Sequence, residues 1–433
     1  MRSISTDTIV AVATPRGLGG VGIIRISGDK AHAIAQKITG VLLEPRKATS
    51  VNVWFGFVCD NSVAIFFKNP KSFTGEDVVE LQMHGGQILL DKTIEHLISL
   101  GCRLAEPGEF TRRALLGGRV TLSGAEAIAN IIHAESEAEL GSAYLHSEFH
   151  DTMIDIEKKL LGVSALIEAH NDHPEDVPLT NVLPQISECK NSLLKLNENQ
   201  RNAEYIYNGI RVAFFGAPNV GKSSIFNAIL GTSRSIVTDI AGTTTDTISE
   251  AIQIEGYKVV FLDTAGLRSG GNKIEKCGQE RTRKLAEECD VAIVVTDTDM
   301  VDKDIMSLVK SKVHIVVRNK CDTTKTKHKA GWVYTSAKTG EGIDTLKSQI
   351  IEKTVGVAGK SNARVNANMR QREQIRLASE SLDYAISSLK KGETIDLVGS
   401  CVSTGLFHIS NVTGTNTSEA VLDTIFSRFC LGK

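Results

Sequence analysis

The sequence lacks several features that would place it in a simple class of protein. None of its apolar runs approaches the ~18 residues of a membrane-spanning helix, which excludes an integral membrane protein. Its eight cysteines are scattered, without a C-x-x-C pair or a His/Cys cluster of zinc-ligand spacing. We interpret most of them as small apolar residues in a reducing compartment. The formal net charge of -2 provides no overall basic surface for nucleic acid.

The N-terminus also lacks a recognisable targeting segment. MRSIS leads directly into the apolar segment DTIVAVAT, with no basic leader and cleavage site and no transit stretch rich in Arg and Ser. We therefore expect a cytoplasmic location. The length of 433 residues predicts several domains, because single hydrophobic cores stop growing at roughly 250 to 300 residues.

The hydrophobic pattern divides the chain into segments with different predicted secondary structure. Residues 1–118 alternate turn signals with short strand-like runs, namely DTIVAVAT, GVGIIRIS, SVNVWFGFVC, SVAIFFK and DVVELQMHG, and then continue into helix-like QILLDKTIEHLISL. We predict a compact α+β domain there. Residues 119–207 change to long helical periodicity, and the prolines of NDHPEDVP are expected to end a helix near His170.

The second half of the chain returns to alternating strands and helices. In residues 208–357 the runs IRVAFF, KVVFLD, DVAIVVTD and VHIVVRN are almost wholly apolar, which is typical of a parallel sheet covered on both faces. Residues 358–433 are helical again. The predicted fold is therefore multi-domain, with an N-terminal α+β domain and an all-α helical domain into which an α/β domain is inserted.

The strongest motif is GAPNVGKS, which fits G-x-x-x-x-G-K-[ST] between a predicted strand and a predicted helix. Gly216 and Gly221 let backbone N–H groups surround phosphate oxygens, which makes the inserted domain a P-loop domain. Lys222 would reach the β and γ phosphates, and Ser223 would supply a hydroxyl to Mg²⁺. The predicted nucleotide contacts of this loop are Asn219, Val220, Gly221, Lys222, Ser223 and Ser224.

Three later elements follow at strand ends in the order expected of a GTP-binding protein. Asp263-Thr264-Ala265-Gly266 ends KVVFLD, where its carboxylate can hold Mg²⁺ through water and its glycine can sense the γ phosphate. Asn319-Lys320-Cys321-Asp322 ends VHIVVRN, and Asp322 can accept two hydrogen bonds that guanine donates and adenine cannot. Ser336-Ala337-Lys338 follows WVYT, where its backbone can contact guanine O6. Together these elements indicate GTP rather than ATP.

A polar segment between the first two elements completes the predicted nucleotide site. It consists of Thr238, Asp239, Ile240, Ala241, Gly242, Thr243 and Thr244. We expect Thr244 to coordinate Mg²⁺, although so polar a run is also typical of an ordinary mobile loop. One residue is missing, because Leu267 follows Gly266 where GTPases of the Ras type have the glutamine that orients the attacking water. Another group must therefore position the water.

These motifs and both ends of the chain closely resemble the MnmE/TrmE family of tRNA-modification GTPases. The resemblance runs over nearly the whole chain. Its signatures are DTIVAVATPRGLGGVGIIRISG at 7–28, SFTGEDVVELQMHGG at 72–86, PGEFTRRALLGGRVTLSGAEAIA at 107–129, the P-loop with Asn219, and FCLGK at 429–433. Stretches of this length are far more specific than a P-loop motif alone.

The resemblance implies that K⁺ activates GTP hydrolysis, because the ion would take the place of an arginine finger beside the phosphates. The K⁺ ligands that it implies are Asn219 and backbone oxygens of Thr238, Ile240 and Thr243. It assigns the attacking water to Glu275, twelve residues after Asp263. The residues by themselves favour a solvated charge near a helix start at that position. With Lys222 and Thr244 from the nucleotide motifs, the predicted catalytic residues are Glu275, Lys222 and Thr244.

The resemblance further implies that residues 1–118 form a homodimer and hold 5-formyl- or methylene-tetrahydrofolate, which supplies a one-carbon unit. The positions that match folate contacts are Arg25, Glu80, Arg119 and Lys433. The residues alone suggest surface charges, whereas a buried carboxylate can bind the guanine-like edge of a pteridine. The implied partners are a flavin-containing MnmG protein in a heterotetramer and tRNA, which is modified at C5 of the wobble uridine.

Two questions stay open at the level of sequence. Cys430 fits either a packed terminal cysteine or a functional thiol, and TSEAVLDTIFSRF before it predicts an amphipathic helix with Asn416 and Glu419 spaced as a capping box. A ribosome-assembly or regulatory GTPase switch would share every nucleotide motif. Such a protein should carry a basic RNA-binding domain in place of residues 1–118.

Overall fold

A computed structural model divides the chain into two compact units. The first comprises Met1–Ala129, His150–Ser187 and Leu377–Lys433, and the second comprises Asn130–Phe149 and Glu188–Arg376. The structure describes residues 7–56, 58–144, 146–179, 181–197, 200–231, 249–263, 275–323, 328–356, 367–427 and 429–433.

The described residues form strands and helices in the following order. The strands are β1 (Ile9–Val12), β2 (Gly19–Ser27), β3 (Thr49–Phe55), β4 (Val58–Phe67), β5 (Val78–Gly85), β6 (Arg103–Leu104), β7 (Ile210–Phe215), β8 (Glu250–Ile254), β9 (Tyr257–Phe261), β10 (Val291–Thr296), β11 (Val313–Arg318) and β12 (Trp332–Tyr334). The helices are α1 (Ala31–Thr39), α2 (Gln87–Ser99), α3 (Glu109–Leu116), α4 (Leu122–His133), α5 (Glu137–Tyr144), α6 (His146–Asp172), α7 (Val182–Asn197), α8 (Gln200–Asn208), α9 (Lys222–Gly231), α10 (Glu275–Glu288), α11 (Lys303–Val309), α12 (Ile343–Thr354), α13 (Met369–Lys391), α14 (Ile395–Thr413) and α15 (Glu419–Phe426).

The first unit contains a six-stranded sheet in the order β3-β4-β5-β2-β1-β6. Neighbouring strands are antiparallel except β1 and β6, which are parallel. Helices α1 and α2 cover one face. Because side chains alternate along a strand, β5 sends Val79, Leu81 and Met83 into the core under these helices and Glu80 to the other face. Strand β2 pairs Arg25 with Glu80, which brings two predicted site residues together.

The run SVNVWFGFVC, which the sequence predicts as one strand, in fact comprises nearly all of β3 and the start of β4. Gly56 between them has a φ of 65°, in the left-handed region that glycine adopts without strain. Phe55 pairs with Val58 across the turn. The apolar pattern hides this hairpin because both strands carry apolar residues up to the turn.

The C-terminal residues pack into the first unit. Phe426 and Phe429 share a buried cluster with Leu122. Gly108 lies against this cluster, since a Cβ added to it would come within 3.0 Å of Phe429 Cβ. Gly432 lies so close to β1 that an added Cβ would collide with the carbonyl oxygen of Val12. The end of the chain is therefore in contact with its first strand.

Two predicted helix boundaries can be compared with the structure. Helix α6 ends at Asp172, close to the predicted end near His170. The capping box predicted for α15 is wrong, because Asn416 ends the turn that follows α14. Ser418 instead has the extended backbone of an N-cap, and it makes no side-chain capping bond.

The second unit contains a six-stranded sheet in the order β12-β11-β10-β7-β9-β8. The first five strands of this order are parallel, as predicted. The sheet departs from the predicted parallel arrangement at β8, which lies at the edge and pairs with β9 in the antiparallel direction. Only Ile252 and Ile254 of β8 are buried, so this edge strand alternates and lacks the continuous apolar run that marks the others.

Helices cover both faces of the second sheet. Side chains of α9 and α12, including Phe226 and Leu346, pack on one face, and side chains of α10 and α11, including Ala286 and Val309, pack on the other. All six residues of β10 are buried as a result. The carboxyl ends of β7, β10, β11 and β12 therefore meet along one edge, where the predicted motifs lie. The inserted α/β fold is confirmed.

Among the helices of the described ranges, none combines the length and the apolarity that crossing a membrane requires.

Candidate functional site

The loop between β7 and α9 is built by close backbone packing. Gly216 has a φ of 147° and Gly221 a φ of 98°, conformations that residues with side chains rarely adopt. A Cβ at Gly216 would collide with the Val295 carbonyl oxygen, and one at Gly221 would collide with the Asn319 side-chain amide. Asn219, at the turn of the loop, also has a positive φ of 63°. The loop therefore presents backbone rather than side chains at the start of α9, which is the geometry of a phosphate cradle.

Lys222 is the first residue of α9 and folds back over this loop. Its Nζ donates hydrogen bonds to the carbonyl oxygens of Gly216, at 2.8 Å, and Ala217, at 2.9 Å. Burial lowers the pKa of the Lys222 ammonium. Ser223 and Ser224 follow on the first turn of the helix, with Ser223 half-buried and Ser224 exposed. A cation and a hydroxyl thus lie at the mouth of the cradle.

Asn319 joins the loop to the two later motifs. Its side-chain nitrogen donates to the Val220 carbonyl at 3.0 Å, while its side-chain oxygen accepts from the Ala337 amide at 3.3 Å and from the Thr335 hydroxyl at 3.4 Å. The residue is only 3% exposed. One buried amide therefore fixes the phosphate loop relative to the ends of β11 and β12.

Lys320 makes a second link from the same motif. It has a φ of 62°, and its Nζ donates to the Asn219 carbonyl at 3.0 Å and to the Asp297 carboxylate at 2.8 Å. The hydrogen bond from Lys320 is the main reason that the pKa of Asp297 lies below its usual value. Asp297 follows β10 and was not identified from the sequence, where it is one of several aspartates in TDTDMVD.

Asp322 is oriented by Ser336. The buried Ser336 hydroxyl donates to Asp322 Oδ1 at 2.7 Å, which leaves the rest of an exposed carboxylate facing solvent. Ala337 is half-buried next to it and Lys338 is exposed. This arrangement holds an acceptor pair in place for a base with adjacent donors, as guanine has.

Asp263 lies at the end of β9 with a φ of 55°, and its side chain is 17% exposed. Its Oδ1 accepts a hydrogen bond from Nη2 of Arg281, a residue of α10. Arg281 was not identified from the sequence, where it stands among several charged residues in KIEKCGQERTRK.

Several predicted nucleotide residues lie outside the described residues. They are Thr238, Asp239, Ile240, Ala241, Gly242, Thr243, Thr244, Thr264, Ala265 and Gly266. Glu275 is the first residue of α10, but its side chain also lies outside the described part. Their assigned roles stay predictions.

The first unit brings together three of the residues that the resemblance assigns to folate. Arg25 Nε donates to Glu80 Oε1 at 2.9 Å, and both side chains are 17% exposed. Arg25 Nη1 donates to the Gly432 carbonyl at 3.1 Å, and its guanidinium lies 5.7 Å from the centre of the Phe110 ring. The Lys433 carbonyl accepts from the Phe110 amide at 3.2 Å. The chain terminus therefore forms one wall of this site.

The remaining two predicted residues lie at the surface. Arg119 is exposed and packs beside Gly75, where an added Cβ would lie 3.2 Å from Arg119 Cγ. Cys430 is exposed, and it lies between the buried Phe429 and the exposed Leu431. Phe110 and Gly432 were not identified as site residues from the sequence, although both lie within the signature segments PGEFTRR and FCLGK.

The fold and this geometry define a class of protein. A glycine-rich loop leads from a parallel strand into a helix, and a buried asparagine connects it to an N-K-x-D element. This combination makes the chain a P-loop nucleotide-binding protein of the GTPase type.

Comparison with known proteins identifies the family. Residues 8–119 match the family model for the GTP-binding protein TrmE N-terminus, and residues 122–430 match that for the MnmE helical domain. The tRNA modification GTPase MnmE of Thermotoga maritima is 37% identical over 99% of this chain and 100% of its own length. The proteins of the same name from Acetivibrio thermocellus and Coxiella burnetii are 36% identical over 99% of both chains and 35% identical over 100% of both chains. The chain belongs to the MnmE family.

Among solved structures, the G domain of the T. maritima FeoB iron transporter matches 33% of this chain and 98% of its own, with 27% identity. The TM-score is 0.25.

Replacing Asn319 tests whether its amide holds the nucleotide site together. We expect Asn319→Ala to weaken binding of a fluorescent GDP analogue roughly tenfold or more, because the Val220 carbonyl and Ala337 amide lose their buried partner. Fluorescence titration measures this affinity. Asn227→Ala, the same change at an exposed position of α9, is the control and should leave the affinity unchanged. Equal affinities for the two variants would contradict the role of Asn319.

Proposed function

We propose that this chain is a K⁺-activated GTP hydrolase that modifies C5 of the wobble uridine of certain tRNAs. In this proposal it works with a flavin-containing MnmG partner and uses a one-carbon unit from a tetrahydrofolate derivative. The observation that carries the proposal is the full-length match to tRNA modification GTPases, in a chain whose phosphate loop and N-K-x-D element are joined by Asn319. A tRNA substrate would place the activity in the cytoplasm.

The described residues of the second unit fit GTP with Mg²⁺. Glycine is required at two points of the cradle, since an added Cβ would collide there, and the backbone amides at the start of α9 favour phosphate. Ser223 would hold Mg²⁺ together with Thr244, and Asp263 through water. Lys222 would exchange its two carbonyl partners for phosphate oxygens. Bound Mg²⁺ would neutralise charge that develops on the phosphates during hydrolysis.

K⁺ is proposed to bind beside the phosphates through Asn219, with backbone oxygens of Thr238, Ile240 and Thr243. The support from the described residues is the position of Asn219, which is exposed on the loop while its carbonyl is fixed by Lys320. Glu275 is proposed to orient the attacking water, a role that the family resemblance implies for this position and that no glutamine after Gly266 can fill. Glu275 begins the helix that also carries Arg281.

The N-terminal site is proposed to hold the folate. Glu80 would accept from the pteridine edge, and Arg25, Arg119 and Lys433 would supply positive charge for the anionic tail. The Arg25–Glu80 pair is partly open, which leaves a charged site of both signs against Phe110. Cys430 is proposed as a functional thiol, since it is exposed on the terminal segment that contacts Arg25.

The proposed domains are an N-terminal dimerisation and folate domain (1–118), a helical domain in two parts (119–207 and 358–433) and a G domain (208–357). In this assignment the N-terminal domain forms the homodimer, and the dimer joins MnmG in a heterotetramer.

Potassium dependence tests the proposed mechanism of hydrolysis. We expect GTP turnover in K⁺ to exceed turnover in Na⁺ by about tenfold or more, because a cation fixed at the β and γ phosphates stabilises the transition state. Asn219→Ala should lose most of this difference, whereas Asn227→Ala should keep it. Phosphate release at matched ionic strength measures the rates. Equal wild-type rates in the two salts would contradict the proposal.

Folate binding can be tested independently of GTP. We expect Glu80→Gln to weaken binding of 5-formyl-tetrahydrofolate about tenfold or more, because the amide replaces one of the two acceptor oxygens of the carboxylate with a donor NH₂ group, which would face a donor of the pteridine edge. Isothermal titration calorimetry gives the affinity, and Glu95→Gln, at an exposed position of α2, is the matched control. Absence of binding by the wild-type chain would remove the folate assignment.

The tRNA role predicts a change in a strain that lacks this protein. We expect mass spectrometry of its tRNA to show loss of the C5 modification at the wobble uridine, restored by the wild-type gene and not by a Lys222→Ala variant. Unchanged wobble uridines would favour a ribosome-assembly or regulatory switch.

A further inference from the structure

We propose that Arg281 is a latch on Asp263: it competes with Mg²⁺ for this carboxylate, and Mg²⁺ binding releases the first turns of α10. The inference rests on the proposed GTPase function, because it takes Asp263 to be the carboxylate that serves Mg²⁺. It adds a residue that none of the nucleotide motifs contains. The observation behind it is the ion pair between Arg281 Nη2 and Asp263 Oδ1.

The two ends of this ion pair are held by different elements. Asp263 follows β9, whose Val259 and Phe261 are fully buried, so its backbone is fixed by the sheet. Near the C-terminal end of α10, Ala286 is buried in the core that α10 and α11 form with the sheet. Cys289, directly after the helix, is buried in the same core. The C-terminal end of α10 is therefore anchored by apolar packing, while Arg281 ties an earlier turn of the helix to the end of β9.

Magnesium and Arg281 compete for the carboxylate of Asp263. In P-loop GTPases, the carboxylate at this strand end binds a water molecule of the Mg²⁺ shell. A guanidinium on the same carboxylate would place a single positive charge next to the double positive charge of Mg²⁺, and like charges repel. Linkage then requires that each cation weakens the binding of the other by the same factor.

The consequence concerns Glu275, which begins α10 six residues before Arg281. While Arg281 holds Asp263, the early turns of the helix are tied to the end of β9. Once Mg²⁺ takes over the carboxylate, these turns are free to move. The latch would thus link arrival of Mg²⁺ to the placement of the residue proposed to orient the attacking water.

The exposure of the Arg281–Asp263 ion pair sets how much its removal should change Mg²⁺ binding. The Arg281 side chain is 54% exposed, and partly exposed ion pairs typically change an equilibrium constant about two- to fivefold. If Arg281 instead orients the carboxylate for Mg²⁺, its removal weakens Mg²⁺ binding. The two roles therefore predict opposite signs.

A magnesium titration of the full-length chain distinguishes these roles. Retention of N-methylanthraniloyl-GDP would be followed against MgCl₂ in Na⁺ buffer, so that K⁺ activation is not involved. We expect Arg281→Gln to lower the midpoint Mg²⁺ concentration about two- to fivefold. Arg281→Lys should shift it less, because its ammonium keeps the charge but lacks the guanidinium fork.

The matched control is Arg283→Gln, which removes the same charge from an exposed position of the same helix. Its midpoint should equal that of the wild type. A raised midpoint for Arg281→Gln, or a midpoint equal to that of Arg283→Gln, overturns the latch while leaving the GTPase proposal intact. If the wild-type chain does not bind the labelled GDP, the proposed function itself fails.

Discussion

The nucleotide site depends on the buried side chain of Asn319. Its amide has one donor group and one acceptor group in use, and these connect the phosphate loop to the ends of two other strands. A parallel sheet brings strand ends to a common edge, but it does not fix the loops that leave them. A buried amide does so because a lost partner would leave polar groups unsatisfied in a dry environment. The positions of Lys320 and Asp322 follow, since they continue the same turn.

The sequence predicts much of this site because its motifs are local and each stands at a strand end. Continuous apolar runs identify β7, β10 and β11, and the G-x-x-x-x-G-K-S pattern carries its own geometry in two glycines. What the sequence does not reveal is long-range pairing. Strand β8 was not predicted because an edge strand needs only one apolar face and so lacks a continuous apolar run. Arg281 was not predicted because an arginine among charged neighbours forms no recognisable motif.

Long-range contacts that the sequence does not reveal are even more important around the N-terminal sheet. The hydrogen bond from Arg25 to the Gly432 carbonyl joins residues 407 positions apart. No periodicity predicts such a contact. Family resemblance singled out Arg25, Glu80 and the terminal lysine without saying that they touch, whereas strand register explains the first pair and packing of Phe429 explains the terminus. Resemblance and structure thus supply different information, the first about which residues matter and the second about what holds them.

Three of the charged groups that the sequence assigns to ligands already bind other groups of the protein. Lys222 binds loop carbonyls, Arg25 binds Glu80, and Asp263 binds Arg281. Each ligand must therefore replace an existing partner, so the net gain is the difference between two sets of contacts rather than the full strength of the new set. This exchange of partners also frees the group that the ligand displaces, so that group no longer constrains the element that carries it. When the released group lies on another element, as Arg281 lies on α10, a local exchange of partners becomes a change in the constraints on a helix, which is what a switch requires.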